Sequence, residues 1–192
     1  MNKRLIYWGI ILLVSLYGCT SKTTEDKEAQ AINDSIKKYL DLADNDTITY
    51  DKRVKYNDKA YSLIDLNRND TLTRYNLYCV SYKYYSFNKI DMLKSTADKL
   101  MNLSLKSKDS INIAKAYRNL GLYYMDSSDN EKAILFLFKA KKMFKFLNRY
   151  DYVIKVMHDI AITQYYASDF LGSNKTLVEI LLLSKKTYEF TL

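Results

Sequence analysis

The scarcity of turn-forming residues restricts this chain more than any other feature of its sequence. It contains no proline, and Gly121 and Gly172 are the only glycines beyond residue 18. An all-β protein needs turn residues at roughly every tenth position, and this chain does not supply them. Hydrophobic residues make up 48% of the 192 positions, which is enough for one sizeable core. The sequence therefore predicts an all-α fold built from long helices.

The first 19 residues have the organisation of a bacterial export signal. Lys3 and Arg4 precede an apolar stretch, Leu5–Leu16, and the sequence YGC ends at Cys19. As a helix, the apolar stretch would extend only ~18 Å, too short to cross a hydrocarbon layer of ~30 Å. The sequence LYGC resembles the lipobox of bacterial lipoproteins. The resemblance implies that Cys19 is acylated and becomes the mature N-terminus, so we expect a lipid anchor.

The lipoprotein interpretation predicts a location in the cell envelope. Residues 20–28 are polar and contain no aromatic side chain, so we expect a flexible tether between the lipid and the folded part. No aspartate follows Cys19, which by resemblance to lipoprotein sorting in enteric bacteria favours the outer membrane, facing either the periplasm or the cell surface. An uncleaved signal anchor and simple secretion are the alternatives.

The basic charge of the chain bears on its partners. The formal net charge is +8, and removal of a signal peptide that carries Lys3 and Arg4 lowers it to +6. A lipid-anchored exported protein meets no nucleic acid, so we expect a protein, an acidic peptide or anionic lipid instead. The alternative is an excess of lysine that only solvates the exposed helix faces.

A self-similarity with a period of 40 residues indicates a repeat protein. Residues 97–121 align without a gap on residues 57–81, and a further shift places Ala161 on Gly121. Apolar residues within each unit follow helical spacing. We therefore predict helical hairpins at about 29–67, 71–107, 110–147 and 150–188. Because an isolated hairpin cannot bury both of its faces, the hairpins must stack into an α-solenoid.

One unit, Ala114–Leu147, resembles a tetratricopeptide repeat (TPR). The residues that carry the resemblance are Tyr117, Leu120, Gly121, Tyr124, Ala133, Leu137 and Ala140. The period of 40 residues is longer than the ~34 of the standard repeat, which implies helices about one turn longer. Such elongated repeats resemble those in regulatory proteins of Bacteroidota. The resemblance implies a superhelix of stacked hairpins, with Gly121 at a close helix crossing, Tyr124 between helices and Tyr123 against an adjoining unit.

Two short patterns predict helix starts. Ser128 and Glu131 have the spacing of a capping box. Thr71 and Ser110 lie at equivalent positions of two units, where a helix N-cap favours Ser or Thr. Both also belong to Asp-Ser/Thr sequences that resemble the O-glycosylation signal of exported Bacteroidota proteins, and the two interpretations remain open.

No pattern in the sequence indicates catalysis, a cofactor or a metal. The chain has one histidine, His158, and neither a glycine-rich phosphate loop nor a metal-ligand motif. Cys79 has no disulfide partner in the mature chain, because Cys19 is expected to be acylated, so we expect a small core residue. We therefore expect a protein that is not an enzyme.

The TPR resemblance also selects candidate binding residues, because in that family the first helix of each hairpin lines a concave groove. The groove residues are Tyr75, Tyr78, Tyr82, Tyr85, Lys115, Arg118, Leu122, Lys155, His158 and Tyr165, with Met125 and Ile162 at further groove positions. These residues suit an extended peptide, with Arg118 available to hold a carboxylate. The alternative is that many of the tyrosines only cover their neighbours.

The last helix predicts a second binding surface. Leu177, Ile180, Leu181 and Leu183 should leave an apolar patch that docks a partner or a second copy of the chain. We therefore expect a lipid-anchored α-solenoid that acts as a scaffold for a protein or peptide, and a homodimer through this helix is one option. The alternative is a sensory input region of a bacterial signalling or transcription-regulatory protein.

Overall fold

The predicted all-α solenoid is confirmed. The computed structural model describes residues 27–189, with side chains as far as residue 185, and this part consists of eight helices without a strand. Helix α1 covers residues 27–44. The other helices are α2 (Tyr50–Ser62), α3 (Thr71–Ser86), α4 (Ile90–Lys106), α5 (Ser110–Asp126), α6 (Asn130–Phe146), α7 (Tyr150–Tyr166) and α8 (Phe170–Glu189).

From α4 onward the chain repeats a module of one helix and one tight turn. Helices α4 to α7 each contain 17 residues, and three residues join each helix to the next. The middle residue of each turn has a positive φ, between 50° and 61°, and these residues follow one another at intervals of 20. They are Asn88, Lys108, Ser128, Asn148 and Ser168. Two such modules make one hairpin, which explains the period of 40 residues in the sequence.

Each turn satisfies the end of the preceding helix without a glycine. In the turn after α5, the N–H of Asp129 donates to the carbonyl of Tyr124 at 2.9 Å, and the N–H of Ser128 donates to Met125 at 3.1 Å. This is the Schellman arrangement, in which a left-handed residue lets two N–H groups reach back to free carbonyls. The residue after the left-handed position is the N-cap of the next helix. The chain therefore reverses within three residues, and consecutive helices are antiparallel.

Aspartate caps the starts of four helices. Asp70, Asp109, Asp129 and Asp169 each accept a hydrogen bond from the backbone N–H three residues later, at 2.7–3.2 Å. The two predicted caps of the Ser/Thr type were wrong by one residue: Thr71 and Ser110 are the first residues inside α3 and α5. The predicted capping box was also wrong, since Ser128 occupies the left-handed turn position with φ 60°.

Gly121 allows α5 and α6 to cross closely, as predicted. A Cβ at this position would lie 2.7 Å from Cγ of Leu137 and 3.3 Å from its backbone nitrogen. Tyr124 stacks on Phe136 of α6 with ring centroids 5.3 Å apart, so it packs between the two helices of the hairpin. Tyr123 lies against the preceding hairpin, where Nζ of Lys94 is 5.6 Å from the ring centroid of Tyr123. Both tyrosines therefore belong to the packing of the solenoid.

The helices form two layers. Among the helices from Tyr50 onward, first helices of successive hairpins contact each other, α3 with α5 and α5 with α7, whereas α4, α6 and α8 do not contact one another. The layer of first helices is therefore the compact side of the solenoid, and the second helices splay apart on the outside. Helix α5 lies at the centre of this compact side, between α3 and α7.

Candidate functional site

The predicted groove has no open floor over α5. Lys115 is 5% exposed, Arg118 is 4% exposed and Leu122 is 0% exposed. Side chains from the two flanking helices meet above α5, where the rings of Tyr78 and Tyr152 lie 6.4 Å apart. Leu122 belongs to the hydrophobic core, and the buried Met125 belongs to the same cluster. The prediction that Leu122 lines a peptide groove is therefore corrected.

The guanidinium of Arg118 is occupied within the chain. Its Nε donates to Oδ2 of Asp159 at 2.6 Å, and its Nη2 lies 3.3 Å from Oδ1. The ring of Tyr82 covers the guanidinium, with Cζ 5.0 Å from the centroid. Burial raises the pKa of the Asp159 carboxyl, while the guanidinium acts in the opposite direction. Arg118 thus joins α5 to α7, and the predicted role of binding a partner's carboxylate is not available to it in this structure.

Lys115 lies in a cage of aromatic rings. Its Nζ is 4.9 Å from the centroid of Tyr75, 4.8 Å from that of Tyr78 and 5.4 Å from that of Tyr152. These distances are within the range of cation–π attraction. Desolvation lowers the pKa of this ammonium below that of a free lysine. Some of the tyrosines predicted to line the groove therefore cover a neighbouring residue of the same chain instead.

The prediction that Tyr78 lines the groove is also corrected, because it is 8% exposed, and the remaining predicted groove residues are accessible. Tyr75 and Tyr165 are 47% and 59% exposed, Lys155 and His158 are exposed, and Tyr82 and Tyr85 are half-buried. Tyr82 and Tyr85 form a continuous row on α3, with ring centroids 6.2 Å apart. Burial and the nearby charge of Asp159 raise the pKa of Tyr85 to about 12. The aromatic rings thus extend along α3 and reappear at the end of α7.

Two exposed aromatic residues were missed by the sequence reasoning. Tyr166 is 66% exposed and Phe170 is 55% exposed, and their ring centroids lie 6.1 Å and 5.3 Å from that of Tyr165. The family's groove positions end at Tyr165, but the sequence QYYASDF does place three aromatic residues around one turn. We call Tyr75, Tyr82, Tyr85, Tyr165, Tyr166 and Phe170 the aromatic surface.

The predicted patch on α8 is divided between the core and the surface. Ile180 is 5% exposed and packs with Val153 and Phe144 in a buried cluster, and Leu183 packs against the same cluster. Leu177 and Leu181 are 41% and 70% exposed. The assignment of Ile180 to a docking patch is therefore corrected, because it faces α7. The exposed apolar side chains that accompany Leu181 are Val178 and Leu182.

The described residues contain no group of three or more histidine, cysteine, aspartate or glutamate side chains that is able to hold a metal ion. Cys79 is a free, half-buried thiol whose pKa is raised by burial. Over residues 27–189, no helix combines the length and the apolar character needed to cross a membrane. Cys19 lies outside the described residues, as does the predicted tether 20–28 except for residues 27 and 28, which belong to α1.

Comparison with known proteins supports the fold alone. No family model matches the chain, and no curated protein matches it. A similar solved structure is that of BtubC (BKLC) from P. vanneervenii, with 12% sequence identity and a TM-score of 0.59. The match covers 72% of this chain and 58% of BtubC. At this identity the likeness extends to the arrangement of helices and carries no information on activity or partners.

Proposed function

We propose that this chain is a TPR-type lipoprotein that is anchored in the cell envelope through Cys19 and binds a protein or peptide without catalysing a reaction. The signal-like N-terminus and the 40-residue repeat support the first part of the proposal. The partner binds on the compact side of the solenoid, at the aromatic surface. No nucleic acid, metal or cofactor is part of this function.

The observation that carries the proposal is the exposure of the aromatic surface. Four of its six rings are 47% to 66% exposed, although the helices that bear them are well packed. Contiguous exposed apolar groups mark interaction sites on soluble domains. Tyrosine offers a large contact area and loses little side-chain entropy on binding. A segment of polypeptide that runs along α3 and then crosses to the last turn of α7 would cover these rings.

Site-specific photocrosslinking tests this function. A photoreactive phenylalanine replaces Tyr165 on the aromatic surface and, as the matched control, Phe138 on the outer helix α6, which is 49% exposed. The full chain is expressed in a bacterium that exports and acylates it, and crosslinked products are identified by mass spectrometry. We expect one reproducible product from position 165 and none from position 138. Equal labelling at both positions, or labelling only at 138, contradicts the proposal.

Membrane attachment is tested separately. Cys19→Ser removes the only acylation site that the lipobox interpretation provides, so we expect the variant to leave the membrane fraction. Retention of the variant in the membrane contradicts the lipid anchor and favours an uncleaved signal anchor.

The exposed apolar side chains of α8 favour a second candidate function. Leu181 and Leu182 are 70% and 66% exposed, and such a helix face is typical of a contact with another polypeptide. This contact fits a homodimer or, as the alternative function, a sensory input region that passes a signal to an output domain. Sedimentation of the wild type and of Leu181→Lys distinguishes the first case, because only a dimer through α8 would dissociate.

A further inference from the structure

Three cations surround one tyrosine ring on the compact side of the solenoid. Cζ of Arg149 lies 4.8 Å from the ring centroid of Tyr152, Nζ of Lys155 lies 5.2 Å from it, and Nζ of Lys115 lies 5.4 Å from it. The ring itself is held in place by the fully buried Phe144, on which it stacks with centroids 4.7 Å apart. Tyr152 is therefore a fixed platform with positive charge on several sides.

The positive charge at this platform is not balanced within the described residues. Arg149 forms an ion pair with Asp151, with Nη2–Oδ2 at 2.9 Å. Asp109 is the other carboxylate whose charge acts on Lys115, and it forms an ion pair with Arg74, with Nε–Oδ2 at 2.8 Å. Within residues 27–185, no hydrogen bond or ion pair reaches Nζ of Lys115 or of Lys155. The charge of Asp151 acts on both ammonium groups, but the only direct contacts of these groups within the described residues are aromatic rings.

Lys115 bears most of the resulting cost. Lys115 is only 5% exposed, and a buried charge without a counterion is unfavourable. The charge of Arg149 also disfavours the ammonium form of Lys115, after the larger effect of desolvation. Cation–π contacts recover only part of this cost. An anion at the platform would therefore be attracted by Arg149 and Lys155 and would relieve the charge on Lys115.

The platform can be reached from solvent. Lys155 is exposed, and the side chain of Arg149 is 40% exposed. Tyr75, which contacts Lys115 from the other side, is 47% exposed. The cations lie among tyrosine rings, and Lys115 is recessed below them. A single acidic side chain can approach the accessible Arg149 and Lys155 and act on the buried ammonium through its charge, whereas the flat headgroup layer of a bilayer cannot approach this ammonium.

We propose that Arg149, Tyr152, Lys155 and Lys115 form an anion subsite that binds the carboxylate of an acidic side chain in a protein partner. The subsite rests on the proposed function, since the partner is the one that lies across the compact side of the solenoid. Lys155 and Nη1 of Arg149, the nitrogen that takes no part in the pair with Asp151, donate hydrogen bonds to the carboxylate, and Tyr152 provides the surface beneath it. Lys115 contributes its charge from below.

Peptide titrations test the subsite. The probes are fluorescein-labelled decapeptides of glutamate and of glutamine, added to the full chain in detergent micelles and followed by fluorescence anisotropy. We expect the wild type to bind the glutamate peptide and not the glutamine peptide. Lys155→Met combined with Arg149→Met should weaken the binding by about tenfold or more, because each loses a charged hydrogen bond.

The chain offers a matched control for this test. Lys139 also lies over two rings, 5.2 Å from the centroid of Phe136 and 5.5 Å from that of Tyr117, but on the outer helix α6. Lys139→Met combined with Lys142→Met, both on α6, removes the same two positive charges and should leave the affinity unchanged. Equal loss of affinity in this control shows a nonspecific charge effect and overturns the proposal, as does unaltered affinity in the Lys155/Arg149 variant.

A second readout separates this subsite from other outcomes. The glutamate peptide should raise the melting temperature of the wild type more than that of Lys115→Met, in which the buried ammonium is absent. Vesicles of phosphatidylglycerol provide a further arm, and loss of vesicle binding but not of peptide binding in the Lys155/Arg149 variant overturns the carboxylate assignment. If the wild type crosslinks to a partner at position 165 and the Lys155/Arg149 variant crosslinks to the same partner equally well, the subsite fails and the proposed function stands. If no partner crosslinks at position 165, the proposed function itself fails.

Discussion

At the scale of single residues, Gly121 sets the distance between α5 and α6. An added methyl group would lie 2.7 Å from Cγ of Leu137, so the leucine has to move or the helices have to separate. We expect Gly121→Ala to lower the free energy of unfolding by about 1–3 kcal/mol, as measured by urea denaturation. Leu137→Ala removes the clashing atoms, so the double variant should lose less stability than the sum of the two single variants. Strict additivity would show that the contact is not the cause.

Arg118 and Asp159 form the second site at which a single substitution has a large effect. Their side chains are only 5% and 12% exposed. Asp159→Asn leaves a buried guanidinium without its counterion, and we expect a loss of roughly 3–5 kcal/mol in urea denaturation. The matched control is Asp151→Asn, which breaks the partly exposed pair with Arg149 and should cost at most about 1 kcal/mol. Arg118→Met together with Asp159→Leu should recover much of the loss, because no unpaired charge remains. Similar losses in both single variants contradict this account.

At the scale of the elements, two aspartates with the same cap function differ in their surroundings. Asp109 and Asp129 both accept from the N–H three residues later. Asp109 also pairs with Arg74, whose side chain is 6% exposed, whereas Asp129 pairs only with the exposed Lys132. We expect Asp129→Ala to lower the free energy of unfolding through loss of the cap, and Asp109→Ala to lower it by more, because Arg74 is left buried and unpaired. Urea denaturation of the two variants gives the comparison, and equal losses would mean that the Arg74 pair adds nothing to the cap.

The turns between helices explain which parts of the fold were predictable. The spacing of apolar residues and the alignment at 40 residues led to stacked hairpins, because both depend on the chain itself. The caps were misplaced by one residue, since Asp, Ser and Thr occur side by side and all of them cap well. The left-handed turn residues are not glycines. Asparagine at positions 88 and 148 favours this conformation, but Lys108, Ser128 and Ser168 carry no such signal. The regular spacing of one turn every 20 residues became visible only in the structure.

The candidate site was predictable to a smaller extent than the fold. Tyr75 and Tyr165 are exposed where the family resemblance placed them. The burial of Arg118 and Leu122 depends on how closely α3 and α7 approach each other across α5, and this distance is set by side chains of three hairpins together. Likewise, the partners of Arg118 and Lys115 come from residues 37 to 41 positions away in the sequence. A motif within one repeat carries no information on such contacts.

At the scale of the whole molecule, the first helices α3, α5 and α7 form one connected unit. Tyr78 contacts Lys115 of α5 and Tyr152 of α7, and Tyr85 interacts with the charge of Asp159 on α7. The buried phenols of α3 are therefore part of the contacts between hairpins rather than of one hairpin. Any condition that ionises these phenols should loosen the stack as a whole.

Alkaline pH provides this condition. Burial is the main cause that raises the pKa of Tyr78 and Tyr84, and it contributes with Asp159 to raise the pKa of Tyr85 to about 12. An unfolded chain releases a tyrosine proton near pH 10.0, whereas the folded protein retains it. The unfolded state therefore binds fewer protons above this pH, and the free energy of unfolding falls as the pH rises from about 10 to 12. The lowered pKa of Lys115 acts in the opposite sense, but only up to its unfolded value of 10.5.

Urea denaturation at pH 8, 10 and 11, combined with the absorbance of tyrosinate, measures this effect. We expect the urea midpoint to change little up to about pH 10 and then to decrease, with tyrosinate absorbance rising at the same urea concentration at which the helices are lost. Tyr85→Phe removes one of the responsible groups and should make the decrease between pH 10 and 11 shallower. The control is Tyr165→Phe, which replaces a ring that is 59% exposed and should leave the decrease unaltered. A lower tyrosinate absorbance of folded Tyr85→Phe than of the folded wild type at pH 10 would show that Tyr85 ionises before any loss of helix, and it would contradict the burial of this phenol as the cause.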